Sequence, residues 1–162
     1  KNTVLDIASN QGLFSLLAVK AGHNVISIDN DISAIDKLYK MKKENDLPII
    51  PAVVDFNEID EERIYRFKSS YVLALGFTHH LYLVNQISWK NISNILSKLT
   101  KNVLLTDFKL FTYAYGSEKL LDQEWKKKYE LKEFIFHLEQ HFKSVEIIRE
   151  KNCSRIIILC RK

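Results

Sequence analysis

Glycine and proline are scarce, four and two in 162 residues. That excludes long flexible linkers and collagen-like or low-complexity chains. No apolar run reaches the roughly 18 residues that cross a bilayer, so no membrane span is expected. Cysteine occurs only at 153 and 160, outside any C-x-x-C pattern. Cys160 closes an apolar run and reads as a small buried hydrophobe. A disulfide-stapled fold is therefore excluded, and a reducing, cytoplasmic compartment is expected. The net charge of +4 permits an acidic or nucleic-acid partner without demanding one. No signal peptide precedes the first strand-like run, and Lys1 is not a methionine, so the chain reads as lacking N-terminal residues. What remains is ordinary globular composition, 46% apolar and 27% charged, expected as one domain over 1–162.

The apolar pattern alternates between strand-sized runs and helical periodicity. Strands are expected at Thr3–Ala8, Asn24–Asp29, Ile49–Val54, Tyr71–Leu75 and Val103–Phe108, with a closing hairpin of Val145–Ile148 and Arg155–Cys160 around a polar turn at Glu150–Ser154. Helices are expected at Gly12–Ala21 (buried, apolar nearly all round, ended by Gly22), from Ile32 to the polar run at 42–46, at Glu58–Phe67, at Trp89–Leu99 and at Leu131–Phe142. Residues 109–129 form an excursion with a helix near Glu118–Lys127. Alternation of this kind predicts an α/β, three-layer, doubly wound, mostly parallel sheet, because parallel strands need crossover helices. The hairpin supplies one antiparallel strand.

Ligands of such sheets bind outside the carboxyl ends of the strands, where the strand order reverses. Ala8-Ser9-Asn10-Gln11-Gly12 follows the first strand, and Asp29 ends the second, seventeen residues past Gly12. An acid there can accept both hydroxyls of a ribose; alternatively it caps the next helix together with Asp31. The glycines of a dinucleotide fingerprint are replaced by Ala8, Asn10 and Leu13, and no P-loop is present. Those absences argue against a pyrophosphate cradle and against a nicotinamide oxidoreductase. A nucleoside without pyrophosphate, such as S-adenosylmethionine, tolerates side chains in this turn.

Val4-Leu5-Asp6-Ile7-Ala8-Ser9-Asn10-Gln11-Gly12 resembles the first motif of class I S-adenosylmethionine-dependent methyltransferases, with Ala8 and Asn10 at the first two glycines. Val25–Asp29, Val53-Val54-Asp55-Phe56 and Leu73–Leu81, with its His-His-Leu, resemble the family's next three motifs in order. A closer likeness is to a bacterial branch labelled nodulation-protein-like. The resemblance implies seven strands in the order 3-2-1-4-5-7-6 with the last antiparallel. It implies S-adenosylmethionine as cofactor and S-adenosylhomocysteine as product. It implies cofactor contacts at Asp6, Ala8, Asn10, Gly12, Asp29, Asn30, Asp55, Phe56, Ala74 and Leu75.

Roles follow from chemistry. Asp6 would accept from backbone N–H groups of the turn. Gly12 would allow close approach of the ligand to the first helix. The free N–H groups of that helix suit the cofactor carboxylate, and Asn10 offers both donor and acceptor. Asp55 would accept from the adenine amino group, with Phe56 or Ile32 against the ring; it also reads as a plain loop acid. His79 and His80 are candidate bases for a hydroxyl acceptor, His79 being slightly preferred, and both also read as structural histidines. Asp107 is a candidate for orienting substrate, and Tyr82, Tyr113 and Tyr115 for an aromatic wall. The excursion at 109–129 is a candidate substrate cap. The acceptor is an O or N nucleophile attacked in line, a small molecule in preference to RNA, with no membrane partner. The alternative is an inactive scaffold of the same fold. His137 and His141 stand at helical spacing that can bind zinc, without a third ligand nearby. The basic run Trp125–Tyr129 reads as a solvated helix face rather than a nucleic-acid surface.

Overall fold

The computed structural model describes residues 2–110, 125, 127–148 and 154–162. They form two compact units, Lys1–Leu73 with Lys98–Asn102, and Ala74–Ser97 with Val103–Lys162.

In the first unit, β1 (Thr3–Ile7) pairs in parallel with β2 (Asn24–Asp29), and β2 with β3 (Ile49–Val53). Helices α1 (Leu13–Lys20), α2 (Ile32–Asn45) and α3 (Glu61–Phe67) make the crossovers. β4 (Ser69–Ala74) pairs in parallel with the other edge of β1. Val4, Ala18, Val25, Leu38 and Ile49 are buried together between sheet and helices. Strands covered on both faces read as near-continuous apolar runs, as β1 and β2 do. The interruptions are Asp6 and Ser27, which stand side by side in register. α1 ends in a Schellman turn: Gly22 takes φ +88, its N–H donates to the Val19 carbonyl, and His23 N–H donates to Ala18. α2 begins at Asp31, whose carboxylate accepts from Ser33 and Ala34 N–H.

In the second unit, α4 (Thr78–Leu83) and α5 (Trp89–Leu99, its last two residues in the first unit) precede β5 (Thr100–Lys109). α6 (Leu131–Glu139), β6 (Ser144–Ile148) and β7 (Arg155–Arg161) follow, with β7 antiparallel to both β5 and β6. Tyr82, Trp89, Phe108, Tyr129 and Phe134 stack into one buried aromatic cluster. The full strand order is β3-β2-β1-β4-β5-β7-β6, so the order reverses beside β1.

Two expectations need correction. α1 is not buried all round: Ser15 and Ala18 face inward, while Leu13 and Leu17 are 67% and 53% exposed. α4 is a helix where the sequence suggested only a strand-end loop. Its six residues are too few to show helical periodicity. The expected helix near 118–127, Tyr113, Tyr115, Cys153 and most of the turn at 150–154 lie outside the described residues. No described helix is long and apolar enough to cross a membrane.

Candidate functional site

The turn after β1 keeps a glycine-type backbone without the glycines. Ala8, Asn10 and Gly12 have φ of 56°, 48° and 85°. A left-handed conformation costs an alanine roughly 1–2 kcal/mol and asparagine less. The turn is held against that cost by Ser9 N–H donating to Ile28 O at 3.1 Å and Gly12 N–H donating to Ser9 O at 2.8 Å. The Asn10 side chain accepts from Gln11 N–H at 2.7 Å, so its oxygen is already engaged within the turn. Ser9 is buried, and its hydroxyl has no hydrogen-bond partner among the described residues.

Gly12 is required for a reason other than ligand approach. A Cβ there would lie 2.5 Å from Leu38 Cδ1, and Leu38 is fully buried. Asp6 accepts a backbone hydrogen bond from Ser15, in the first turn of α1, as well as a side-chain one. It accepts from the Ser15 hydroxyl at 2.6 Å, and Ser15 lies 2.7 Å from the Ser27 hydroxyl. A buried Ser27–Ser15–Asp6 chain thus fastens α1 to β1 and β2. Burial pushes the Asp6 carboxyl up to about 6, against the opposing effect of the Ser15 hydrogen bonds. Ser15 and Ser27 were legible only as small polar residues inside apolar elements.

Asp29 joins two loops. One carboxylate oxygen accepts from Asn10 N–H at 2.8 Å and the other from Asp31 N–H at 2.9 Å. Asp31, not Asp29, caps α2. A carboxylate accepts about four hydrogen bonds, so Asp29 keeps capacity for a diol. It is half-buried, and Asn30 beside it is exposed. Asp55 accepts from Asn57 N–H at 2.9 Å, capping the 3₁₀ turn Phe56–Glu58. Phe56 is buried, whereas Ile32 is 70% exposed. Of the two expected ring contacts, Ile32 is therefore the accessible one.

In the second unit, Ala74 is buried and its carbonyl accepts from Thr106 Oγ1 at 3.0 Å; Leu75 is half-buried. Asp107 is 1% exposed and is not placed to orient substrate. One oxygen accepts from Gly76 N–H at 2.8 Å, and the other is ion-paired with Arg155. Its carbonyl accepts from the Thr78 hydroxyl at 2.7 Å. Asp107 thus fixes the segment that leads into α4. Arg155 was missed in the sequence because nothing local marks it; β5–β7 pairing brings it there.

α4 carries both histidines, with ring centroids 4.2 Å apart. His79 is 2% exposed; burial, with His80, Lys109 and Arg155 nearby, lowers its pKa to about 3. It is neutral at ordinary pH and a weak base, which reverses the preference for His79. His80 is exposed, its pKa lowered by partial burial and then by Lys109 and Arg155. Tyr82 is 4% exposed and stacks on Trp89 within the aromatic cluster, so it is core rather than an open wall. Among the described residues no group of three or more histidine, cysteine or acidic side chains is placed to hold a metal.

A family model described as Tellurite resistance protein TehB matches residues 1–118. No curated protein matches significantly. Among solved structures, WbdD, a bifunctional kinase-methyltransferase, superposes with a TM-score of 0.72 at 18% identity, covering 98% of this chain and 35% of WbdD. The chain thus spans about a third of that protein's length. The PH0226 protein of Pyrococcus horikoshii OT3 gives 0.76 at 16% identity, covering 99% and 82%. The N-terminal domain of EvdMO1 in the presence of SAH and D-fucose gives 0.70 at 12% identity, covering 98% and 75%.

Proposed function

This chain belongs to the TehB family of class I S-adenosylmethionine-dependent methyltransferases, and on that premise we propose that it methylates a hydroxyl or amine of a small molecule. The observation that carries the reading is the turn after β1: three positive-φ residues tied to a half-buried Asp29 that retains accepting capacity. The unpartnered Ser9 hydroxyl adds a buried polar atom for which a bound ligand supplies a partner. The residues present therefore fit the cofactor of the family.

Asp29 would accept from the ribose diol, with Asn30 beside it. Asp55 would accept from the adenine amino group while it caps its own turn, and Ile32 would lie against the ring. Ala8, Asn10 and Gly12 would shape the turn that holds the amino-acid end against the free N–H groups of α1. Asp6 and Phe56 act from within the core, as positioning residues. Bound S-adenosylmethionine supplies an electrophilic methyl group on a good leaving group. The chain's own residues then need to align the nucleophile and exclude water. His80, exposed and neutral, is the base that accepts the acceptor proton. Ala74 and Leu75 lead from β4 into its segment, and Asp107 with Arg155 sets that segment's backbone.

A small acceptor agrees with the fold neighbour that crystallised with SAH and D-fucose. One motive for the scaffold alternative is the missing glycines; Ala8 and Asn10 keep positive φ, which weighs against that motive. The test is calorimetric titration with S-adenosylhomocysteine, followed by mass-spectrometric detection of methyl transfer to a panel of small hydroxyl and amine compounds. Saturable binding, with transfer reduced at least tenfold by His80→Gln, is expected. Absence of binding to the folded protein refutes the reading.

A further inference from the structure

Lys109, the last residue of β5, and Arg155, the first of β7, are register partners in the antiparallel pair. Such partners stand on one face of a sheet with Cβ atoms about 4.5–5.5 Å apart, and like charges placed so destabilise the pairing. Asp107 shares that face, two residues before Lys109. It is the one carboxylate among the described residues that engages either cation, and it engages only Arg155. Its other oxygen accepts from Gly76 N–H at 2.8 Å, so both oxygens are occupied. His79 and His80 are neutral at pH 7. The face therefore holds two cations against one acid. After burial, the influences on His80 are Lys109 and Arg155, and both lower its pKa.

The backbone fixes this pair. Leu110 N–H donates to Ser154 O at 3.0 Å, and the Tyr129 hydroxyl donates to Lys109 O at 2.7 Å. Gly76 has φ +73°, and a Cβ there would lie 3.1 Å from Arg155 Nη1 and 3.5 Å from Nη2. The guanidinium thus lies along the loop between β4 and α4, with one arm on Asp107. The Thr78 hydroxyl ties the start of α4 to the Asp107 carbonyl. The Arg155 side chain is 37% exposed and Lys109 is half-buried, so solvent reaches both.

We propose that Lys109 and Arg155 hold a carboxylate or phosphate group of the methyl acceptor, beside the His80 imidazole. The acceptor is then an anionic hydroxy or amino compound. That substrate class rests on the methyl-transfer reading; the binding of the anion does not. Arginine offers a planar fork and lysine a point charge, both suited to an oxygen anion. An anion here offsets the repulsion across β5 and β7. It also counters the two charges that act on His80, so the base gains strength as the acceptor binds.

The full chain, saturated with S-adenosylhomocysteine, is titrated by calorimetry with glycerol phosphate against glycerol, and with salicylate against salicyl alcohol. At least one anion is expected to bind at least tenfold more tightly than its neutral counterpart, and more weakly as salt rises. Which anion binds separates phosphate from carboxylate. Lys109→Met should weaken that binding at least fivefold, with the melting temperature unchanged or raised, because it removes one of two facing like charges. Lys109→Arg should restore it. By NMR, the bound anion should raise the pKa of His80 in the wild type, and less so in Lys109→Met. If S-adenosylhomocysteine does not bind, the methyl-transfer reading fails, and the same titrations on the free chain decide the anion site. No preference for either anion over its neutral counterpart, or anion affinity unchanged in Lys109→Met, overturns the proposal; the first of these is read on the wild type alone, whether or not the variant folds.

Discussion

Removing the Asp29 carboxylate tests the cofactor assignment most directly. Its two oxygens already accept from Asn10 and Asp31 N–H, at 2.8 and 2.9 Å. In Asp29→Ala both donors lie on exposed residues, so water replaces the carboxylate and the stability cost is about 1 kcal/mol. The ribose is a different matter. Two hydroxyls would donate to a charged acceptor, each worth about 1.5–3 kcal/mol when well formed. The half-buried setting places the effect at the low end and the loosened turn adds to it. The loss for S-adenosylhomocysteine is then about 2–4 kcal/mol, or roughly 30- to 1,000-fold in Kd. Calorimetry on wild type and variant gives the affinity, and urea unfolding gives the stability. A threefold or smaller change in affinity refutes the ribose role. So does a stability loss as large as the affinity loss, since the carboxylate would then be serving the loop alone.

Gly12→Ala should cost about 2–4 kcal/mol by urea unfolding. It combines a φ of +85° with a Cβ 2.5 Å from Leu38 Cδ1, and a cost below 0.5 kcal/mol would show that α2 gives way easily. The Asp6 carboxyl titrates near 6 folded and near 3.8 unfolded. Between those values the folded state holds the extra proton, so Asp6 contributes most below pH 3.8 and that contribution is lost as pH rises through 6, by up to about 3 kcal/mol. Asp6→Asn should remove this component from a stability profile measured between pH 4 and 7. Arg155→Met should destabilise by about 2–3 kcal/mol at pH 7, because Asp107 stays buried with only Gly76 N–H on its carboxylate. An unchanged midpoint in urea would show that the pair holds nothing.

Local pattern was enough for the α/β alternation, while the strand order was implied by the family resemblance. The runs Thr3–Ile7 and Asn24–Asp29 are apolar because both faces are covered, whereas the edge run Ile49–Val53 leaves Ile50 and Val53 exposed; alternation with helices is what dictates parallel pairing. Gly22 and Asp31 announce a helix end and a helix start because their requirements lie within a few residues. The position of Asp29 beyond Gly12 also points to the carboxyl edge as the candidate site without any three-dimensional information. Other features depend on partners distant in the chain. Asp107 becomes an anchor rather than a substrate contact only because β5–β7 pairing brings Arg155 to it across 48 residues. Gly12 meets two demands at once, a φ of +85° and a buried Leu38 methyl 2.5 Å from where a Cβ would lie. His79 and His80 are adjacent and identical in composition, yet the way α4 packs buries one and exposes the other, and burial lowers the pKa of His79 to about 3. Sequence carries short-range preferences; burial and charge pairing are properties of the assembled chain, and those two quantities decide which of its acids, histidines and aromatics remain available for chemistry.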